Sequence, residues 1–388
     1  ARVPRRVAGR APEHNLVQGR PDAAAFPRAA WLAAARRALG AAPNEAFGPG
    51  DPRGRIELRR ALAEYLARAR GVRTEPERIV ITAGFAAGLR LLFGAGSGGG
   101  SGSGSGSGGA VLHGPLAVEA YGLPFHRQLL AAAGVPTLPL RVDEHGADTG
   151  LLGTLQPVRS ALLTPAHQFP TGGPLHAERR VAAVDWARAR DTVVLEDDYD
   201  GDFRYDRQPV GALQGLDPER VVYLGSVSKS LSPALRIGWL VLPARLVEPV
   251  LAAKGEREGF TGVVDQLTLA AFLDSGGYDR QLRRMRQNYR RRRDELTAAL
   301  AAHAPHIAVS GIAAGLHAVL RLPPGTERTV LKAAAWQGIA LDGLAPFRHP
   351  DATGPAADGL VVGYATPPDH AWRAALDALL RVLPPEPS

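Results

Sequence analysis

The chain has 388 residues, 45% of them hydrophobic, with 46 lysines and arginines against 38 aspartates and glutamates, a formal net charge of +8. That length supports one large or two medium domains with real cores, and the basic excess raises nucleic acid as a partner. No run approaches the roughly 18 to 20 uninterrupted apolar residues of a membrane span and the N-terminus lacks an apolar signal core, so a cytoplasmic protein is expected; the absence of cysteine excludes disulfides and thiolate metal sites.

Residues 1–14, with Arg2, Arg5, Arg6, Arg10, Pro4 and Pro12, read as a flexible basic arm or linker remnant. Residues 15–45 form an N-terminal segment: Gln18-Gly19-Arg20-Pro21-Asp22 makes a turn, and Arg28 to Leu39 is expected as a helix with Trp31, Leu32, Ala35 and Leu39 on one side. A large domain is drawn over 46–245. It opens on the glycine-proline loop Phe47 to Gly54 and a helix from Arg55 to Arg68. The strand Ile79-Val80-Ile81-Thr82 then runs into Ala83-Gly84-Phe85-Ala86. Glycine permits a tight strand-to-helix turn, and free N–H groups at a helix start form an anion site, so Gly84, Phe85 and Ala86 are candidate phosphate donors. Residues 96–109 contain only glycine and serine and are expected as a disordered insertion.

Order resumes near Leu116-Ala117-Val118. Strand candidates at Gly134 to Leu140, Ala161 to Thr164, Thr192 to Leu195, Val221 to Leu224 and Ile237 to Leu242 alternate with helical or loop segments, the pattern of a mainly parallel sheet covered by helices. Two of these strand ends carry chemistry. The first continues into Glu196-Asp197-Asp198-Tyr199-Asp200, where an aspartate can hold a pyridine nitrogen protonated and a tyrosine can hydrogen-bond a ring hydroxyl, roles that fit Asp197 and Tyr199. The alternative is a solvated acidic loop, or a divalent-metal site built from Asp197, Asp198, Asp200 and Asp202. About thirty residues further, roughly one βαβ unit, Val221 to Leu224 leads into Gly225-Ser226-Val227-Ser228-Lys229. Lys229 therefore sits where open α/β sheets keep their ligands. It suits a Schiff base with pyridoxal phosphate, with Ser226, Ser228 and Arg236 placed for the phosphate; a serine-rich surface loop is the alternative.

The remainder, 246–388, reads as long helices and a small C-terminal domain. Helices are expected at 244–255 and 262–302, with strands near 306–310 and 316–322. Arg280 to Arg293 interleaves arginines with Leu282, Met285 and Tyr289 at helical spacing. That is the solvated face of an amphipathic helix, with DNA contact as the alternative.

Three stretches, Thr164-Pro165-Ala166-His167-Gln168-Phe169-Pro170-Thr171-Gly172, Glu196 to Asp200, and Ser228-Lys229-Ser230-Leu231 through Arg236, together resemble the aminotransferase-like domain of the MocR/GabR transcription regulators. These are fold-type-I pyridoxal-phosphate proteins, and the resemblance covers nearly the whole chain. It implies an α/β fold with a mainly parallel seven-stranded sheet in the large domain and a smaller α+β C-terminal domain. It also implies pyridoxal 5'-phosphate as cofactor, no metal, a symmetric homodimer, a small amine or amino-acid effector, and DNA reached only through a reader domain absent from this chain. The N-terminal arm would enter the active-site region, and the loop at 47–54 would line the cofactor entrance.

The departures from that family matter as much. Glu119-Ala120-Tyr121-Gly122-Leu123 stands where the family has a Glu-Asp-Pro-x-Tyr-type turn. Tyr121 is thus a candidate to stack on the cofactor ring, although Leu123 takes the family tyrosine's place in an ungapped alignment and a core tyrosine is the alternative. The arginine that clamps an amino acid's α-carboxylate stands two residues before a Gly-aromatic-Ala; Val361 holds that position before Gly363-Tyr364-Ala365. Arg348 is the nearest substitute, against the reading of a solvated surface arginine. Phe169 replaces an asparagine that would face the ring hydroxyl, leaving Tyr199 as its main partner with His167 or Gln168 as helpers. The expected function is an effector-sensing domain with weak or no transaminase turnover. A free-standing aminotransferase is the alternative, and a nucleic-acid-binding module would leave the three pocket motifs unexplained.

Overall fold

The computed structural model describes residues 12–94, 110–205, 210–255 and 261–386. The arm up to residue 11 and the Gly/Ser stretch 96–109 lie outside the described residues. Helix α1 (Arg28–Ala41) buries only Ala34; Trp31 packs edge-on against Phe272, whereas Leu32, expected on the same side, is 59% exposed. Helix α2 (Ile56–Arg70) buries Leu58, Leu62, Tyr65 and Leu66 at helical spacing and stops at Gly71, whose φ of +69° a side chain would resist.

The seven-stranded sheet is built from β1 (Ile79–Thr82), β2 (Leu116–Glu119), β3 (Thr137–Leu140), β4 (Ser160–Leu163), β5 (Val193–Asp197), β6 (Val221–Ser226) and β7 (Gly238–Val241). Its order is β1-β7-β6-β5-β4-β2-β3, all parallel except β7, which runs antiparallel to both neighbours. Strands β1, β2, β4 and β7 are buried throughout, because helices cover both faces; their sequences are therefore continuous apolar runs rather than alternating ones. Alternation survives as a division of labour between faces. Val80, Leu162, Leu195 and Leu224 pack with α3 (Phe85–Phe93), α4 (Pro124–Ala132) and α6 (Ala244–Lys254). Their neighbours Ala161, Leu163, Val194 and Val221 pack with α5 (Ala177–Ala189) on the other face. The same parity sorts the acids ending β5. Glu196 turns to the α5 side and accepts from the N–H groups of Leu213 and Gln214 at 2.7 and 2.9 Å, while Asp197 keeps the parity of Leu195.

The long helix expected over 262–302 is two helices, α7 (Val263–Asp274) and α8 (Gly277–His303), parted at Ser275-Gly276 with Gly276 at φ +66°. The arginines of α8 do not share one environment. Arg283 and Arg290 are exposed, whereas Arg292 is fully buried, donating to the carbonyls of Tyr364 and Pro367 at 3.0 and 2.7 Å and lying 5.6 Å over the Trp372 ring. Beyond α8 come β8 (Val309–Ser310), β9 (Ala318–Arg321), α9 (Glu327–Trp336), β10 (Asp342–Gly343), β11 (Gly359–Val362) and α10 (Trp372–Val382). The four strands form an antiparallel sheet in the order β8-β9-β11-β10, the smaller α+β region. The N-terminal segment is stitched to it: His14–Asn15 pairs in parallel with Ile339–Ala340, and Gly363 donates to the Leu16 carbonyl at 2.8 Å. That seam sets Gln18 and Gly19 at the edge of a cavity between sheet and small region. Among the described residues no helix is long and apolar enough to cross a membrane.

Candidate functional site

The cavity, about 210 Å3, opens at the carboxyl ends of β5 and β6 and brings together Phe85, Ala86, Tyr121, Asp197, Tyr199, Ser226, Ser228, Lys229 and Arg236. One end is a set of hydrogen-bond donors. Gly84 caps α3 with no side-chain cap, and the first helical bonds to its carbonyl come from Ala87 and Gly88. The N–H groups of Phe85 and Ala86 are left over, as at any helix start. Gly84 has φ +91°, and a Cβ there would lie 3.5 Å from the Arg236 guanidinium; at Gly238, where β7 crosses this turn, a Cβ would come within 2.8 Å of the Gly84 Cα. Arg236, itself in the left-handed region at φ +53°, spends one terminal nitrogen on the Ala83 carbonyl at 2.6 Å. Two N–H groups, the hydroxyls of Ser226 and Ser228 and a guanidinium form a donor set suited to a phosphate dianion.

Lys229 stands at the middle of the cavity, its Nζ donating to the carbonyl of Gly19. Burial pulls its pKa below that of an ordinary lysine, against the opposing pull of Asp200 and Asp197. The uncharged amine, the nucleophilic form, is thereby favoured. Asp197 is moved the other way: burial first, then the charges of Asp198, Glu119 and Asp200, push its pKa well above the usual carboxylate range, while Lys229 opposes. The upward shift favours a proton at this carboxyl, where a basic ring nitrogen could share it. An Asp197→Asn protein is expected to bind pyridoxal phosphate but to shift the pH midpoint of its absorbance change by about one unit or more, since a neutral amide cannot hold that nitrogen charged. A spectrophotometric pH titration superimposing on that of the wild type would remove Asp197 from this role.

Tyr199 lines the cavity, and His167 stands behind it rather than in the wall. The Tyr199 hydroxyl is 3.0 Å from His167 Nδ1, which is 2.8 Å from Asp200 Oδ2 in a pair that is almost wholly buried. Gln168 is committed elsewhere, donating to Glu119 at 3.1 Å and to the carbonyl of Tyr121 at 2.9 Å. The carboxylates of the acidic run disperse: Asp198 pairs with Arg70, Asp200 with His167, and Asp202 accepts from Tyr65. Among the described residues no group of three or more potential ligands converges on a metal position.

Three residues singled out in the sequence fall differently. Tyr121 lines the cavity but also leans on the apolar cluster of Phe169, Val319, Leu344, Phe347 and Val361, in which Val361 is fully buried. Arg348 does not join the cavity. Its Nη2 donates to the carbonyls of Ala352, Thr353 and Gly354 at 2.7, 3.2 and 2.6 Å.

Four cavity residues were not singled out from the sequence as contributing a polar group. Glu119 accepts from the Thr164 N–H at 3.1 Å, and burial lifts its pKa to about 7. His126, on α4, stacks on Phe85 at 4.4 Å and 28°, its pKa driven down to about 3 by burial, then by Lys229 and Arg127. Arg127 reaches across to the small region, Nη1 donating to the carbonyls of Gly122 and Phe347 at 2.8 and 3.1 Å and Nη2 to those of Pro346 and Arg348 at 3.3 Å each. His317 enters from the small region just before β9. The histidine-arginine pair one helical turn past Leu123 was the available signal for two of them; nothing local marks His317.

A lysine between a phosphate-type donor set and a buried aspartate, at the strand ends of a mainly parallel sheet flanked by a smaller α+β region, is the arrangement of the fold-type-I aminotransferases. Residues 14–351 match the aminotransferase class I and II family, and the chain belongs to it. Its fold superposes on an archaeal alanine:glyoxylate aminotransferase with a TM-score of 0.81, covering 97% of this chain and 91% of that one at 22% identity. A kynurenine aminotransferase of Pyrococcus horikoshii gives 0.81 over 95% and 90% at 23% identity. Its sequence relatives include transcription regulators of the MocR type. The HTH-type pyridoxine biosynthesis regulator PdxR of Corynebacterium glutamicum is 32% identical over 93% of this chain and 74% of its own. The probable rhizopine catabolism regulatory protein MocR of Rhizobium meliloti is 30% identical over 93% and 70%. The family uses pyridoxal 5'-phosphate, and the donor set, lysine and aspartate present here fit that group.

Proposed function

We propose that the chain is the pyridoxal-phosphate-binding, effector-sensing part of a cytoplasmic MocR-like transcription regulator. Lys229 holds the cofactor covalently and gives it up to a small amine or amino acid. Gly84, Phe85, Ala86, Ser226, Ser228 and Arg236 hold the phosphate, Asp197 faces the ring nitrogen, and Tyr199, backed by His167, faces the ring oxygen. When bound, the cofactor supplies an aldehyde that condenses with amines and a ring that accepts electrons. DNA is reached through a separate reader domain, a reading supported by the HTH-type regulators among its relatives.

One observation carries the choice of sensor over enzyme: Val361 is buried in an apolar cluster with Phe169 and Phe347. Fast transamination needs the α-carboxylate held so that the breaking bond stands perpendicular to the ring, and valine can neither donate a hydrogen bond nor carry charge. A ligand that prefers one conformation shifts the population without being consumed. Multiple turnover with any common amino acid and a keto-acid acceptor is therefore expected to be far slower than the typical enzyme rate of ~10 per second, measured by stopped-flow absorbance. Rapid turnover would instead make the chain a free-standing aminotransferase, the reading its structural neighbours favour.

A symmetric homodimer goes with this function. Leu32 on α1 and Val264 on α7, helices packed on one another, remain 59% and 46% exposed, and Phe47 just beyond α1 is 52% exposed; such apolar surface is suited to burial against a second copy. Light scattering of the cofactor-loaded protein should give twice the chain mass. A fully loaded monomer would refute the dimer.

A further inference from the structure

His317 is 3% exposed and forms part of the cavity wall, its ring 5.1 Å from that of Phe169 and 5.5 Å from that of His167. Its Nε2 lies 3.1 Å from the Pro170 carbonyl oxygen. A carbonyl only accepts, so Nε2 must carry the ring proton. Burial, followed by the field of His167, takes the imidazole down to about 3, so it is neutral near pH 7 and Nδ1 presents a lone pair. Among the described residues nothing donates to that lone pair.

The surroundings restrict what could. On the small-region side the wall is Phe169 and Leu316, with Tyr121 and Leu123 beside them and Val361 and Phe347 packed behind. The two arginines lining the cavity are committed. Arg236 belongs to the phosphate end, and both terminal nitrogens of Arg127 are held by carbonyls. A carboxylate directed at this wall would set its lone pairs against that of His317, whereas an O–H or N–H would complete the hydrogen bond.

We propose that His317 selects the ligand: an amine whose short apolar chain carries a second hydrogen-bond donor, a hydroxyl or an amine, in place of an α-carboxylate. The inference rests on Lys229 as the cofactor lysine. A buried acceptor left unpaired costs more than the average hydrogen bond contributes, so matched ligands with and without the donor should separate.

The test titrates the absorbance change of the pyridoxal-phosphate-loaded protein with aminopropanol, diaminopropane, butylamine of matching length, and aminobutyrate. Aminopropanol and diaminopropane are expected to bind about ten-fold more tightly than butylamine, and aminobutyrate more weakly than aminopropanol. An advantage confined to one of the two donor ligands would identify which donor is read. His317→Phe should bring the donor-to-butylamine ratio to about one, while His317→Gln, whose amide keeps an acceptor, should retain a preference. Each protein is its own reference, and if the phenylalanine variant does not fold, the wild-type ratio and the glutamine variant decide. Equal binding of butylamine and both donor ligands, tighter binding of aminobutyrate, or an undiminished ratio in His317→Phe would overturn the role of His317. Failure of borohydride to leave a pyridoxyl adduct on wild-type Lys229 would overturn the proposed function itself, a separate outcome.

Discussion

A Lys229→Ala protein mixed with pyridoxal phosphate is expected to stay without the yellow band that the wild type develops. Borohydride reduction followed by peptide mass spectrometry should find a pyridoxyl adduct on Lys229 in the wild type and no adduct in the variant. The effect is the largest expected because the substitution removes the one lysine among the described residues lining the cavity, an amine whose pKa burial lowers. The fold should tolerate the change. Lys229 makes one hydrogen bond, to the Gly19 carbonyl, and the donor set of Gly84 to Ala86, Ser226, Ser228 and Arg236 is untouched, so weak non-covalent phosphate binding should persist. An adduct of equal yield on another lysine of the variant would show that the assignment is mistaken.

The strands around this lysine could be read from the sequence because burial on both faces leaves short unbroken apolar runs. Val193 to Leu195 runs directly into the acids, and Val221 to Leu224 leads through Gly225 to Ser228 into Lys229, so their chemistry is marked locally. The split between α7 and α8 was not marked, because Ser275-Gly276 interrupts a helical pattern for too few residues to break its periodicity. Only the φ of +66° at Gly276 reveals it. Leu32 shares a helical face with Trp31 and Ala35 yet is exposed, because periodicity shows which residues share a face but not whether another element covers it. Arg292 failed for the converse reason: within a run of arginines nothing local distinguishes the one that the 364–369 turn encloses.

The site divides along the same line. Lys229, Asp197, Tyr199 and the phosphate donors come from strand-end motifs. Arg127 acts through the Phe347 carbonyl 220 residues away, and His317 through the Pro170 carbonyl 147 residues away. Such contacts exist only once the small region is docked against the sheet. Gly315 shows how closely: at φ +75°, a Cβ on it would collide with the imidazole of His167, so the turn that delivers His317 needs glycine for both shape and space.

Replacing Arg70 by leucine is expected to destabilise the protein by about 3 to 5 kcal/mol, seen as an earlier midpoint in urea unfolding. Arg70 and Asp198 form a forked pair, Nε to Oδ2 at 2.7 Å and Nη2 to Oδ1 at 3.1 Å, with side chains 4% and 2% exposed. The guanidinium also donates to the carbonyls of Gly201 and Val210 at 3.0 and 3.2 Å, and Tyr223 donates to Asp198 at 2.7 Å. Leucine would leave a buried carboxylate and two carbonyls without their donor, the costly way to break such a pair, whereas neutralising both partners should recover much of the loss. Arg70→Leu with Asp198→Asn is therefore expected to unfold closer to the wild type than Arg70→Leu alone. The consequence reaches the cavity, because the charge of Asp198 already raises the pKa of Asp197. With Arg70 gone, the cation that balances Asp198 beside Asp197 is lost. That changes the field at the ring-nitrogen position, so the absorbance of the cofactor-loaded single variant should titrate at a different pH from that of the wild type. A single variant within about 1 kcal/mol of the wild type, with an unchanged titration, would mean that Asp198 is not the structural hinge between the acidic strand end and α2.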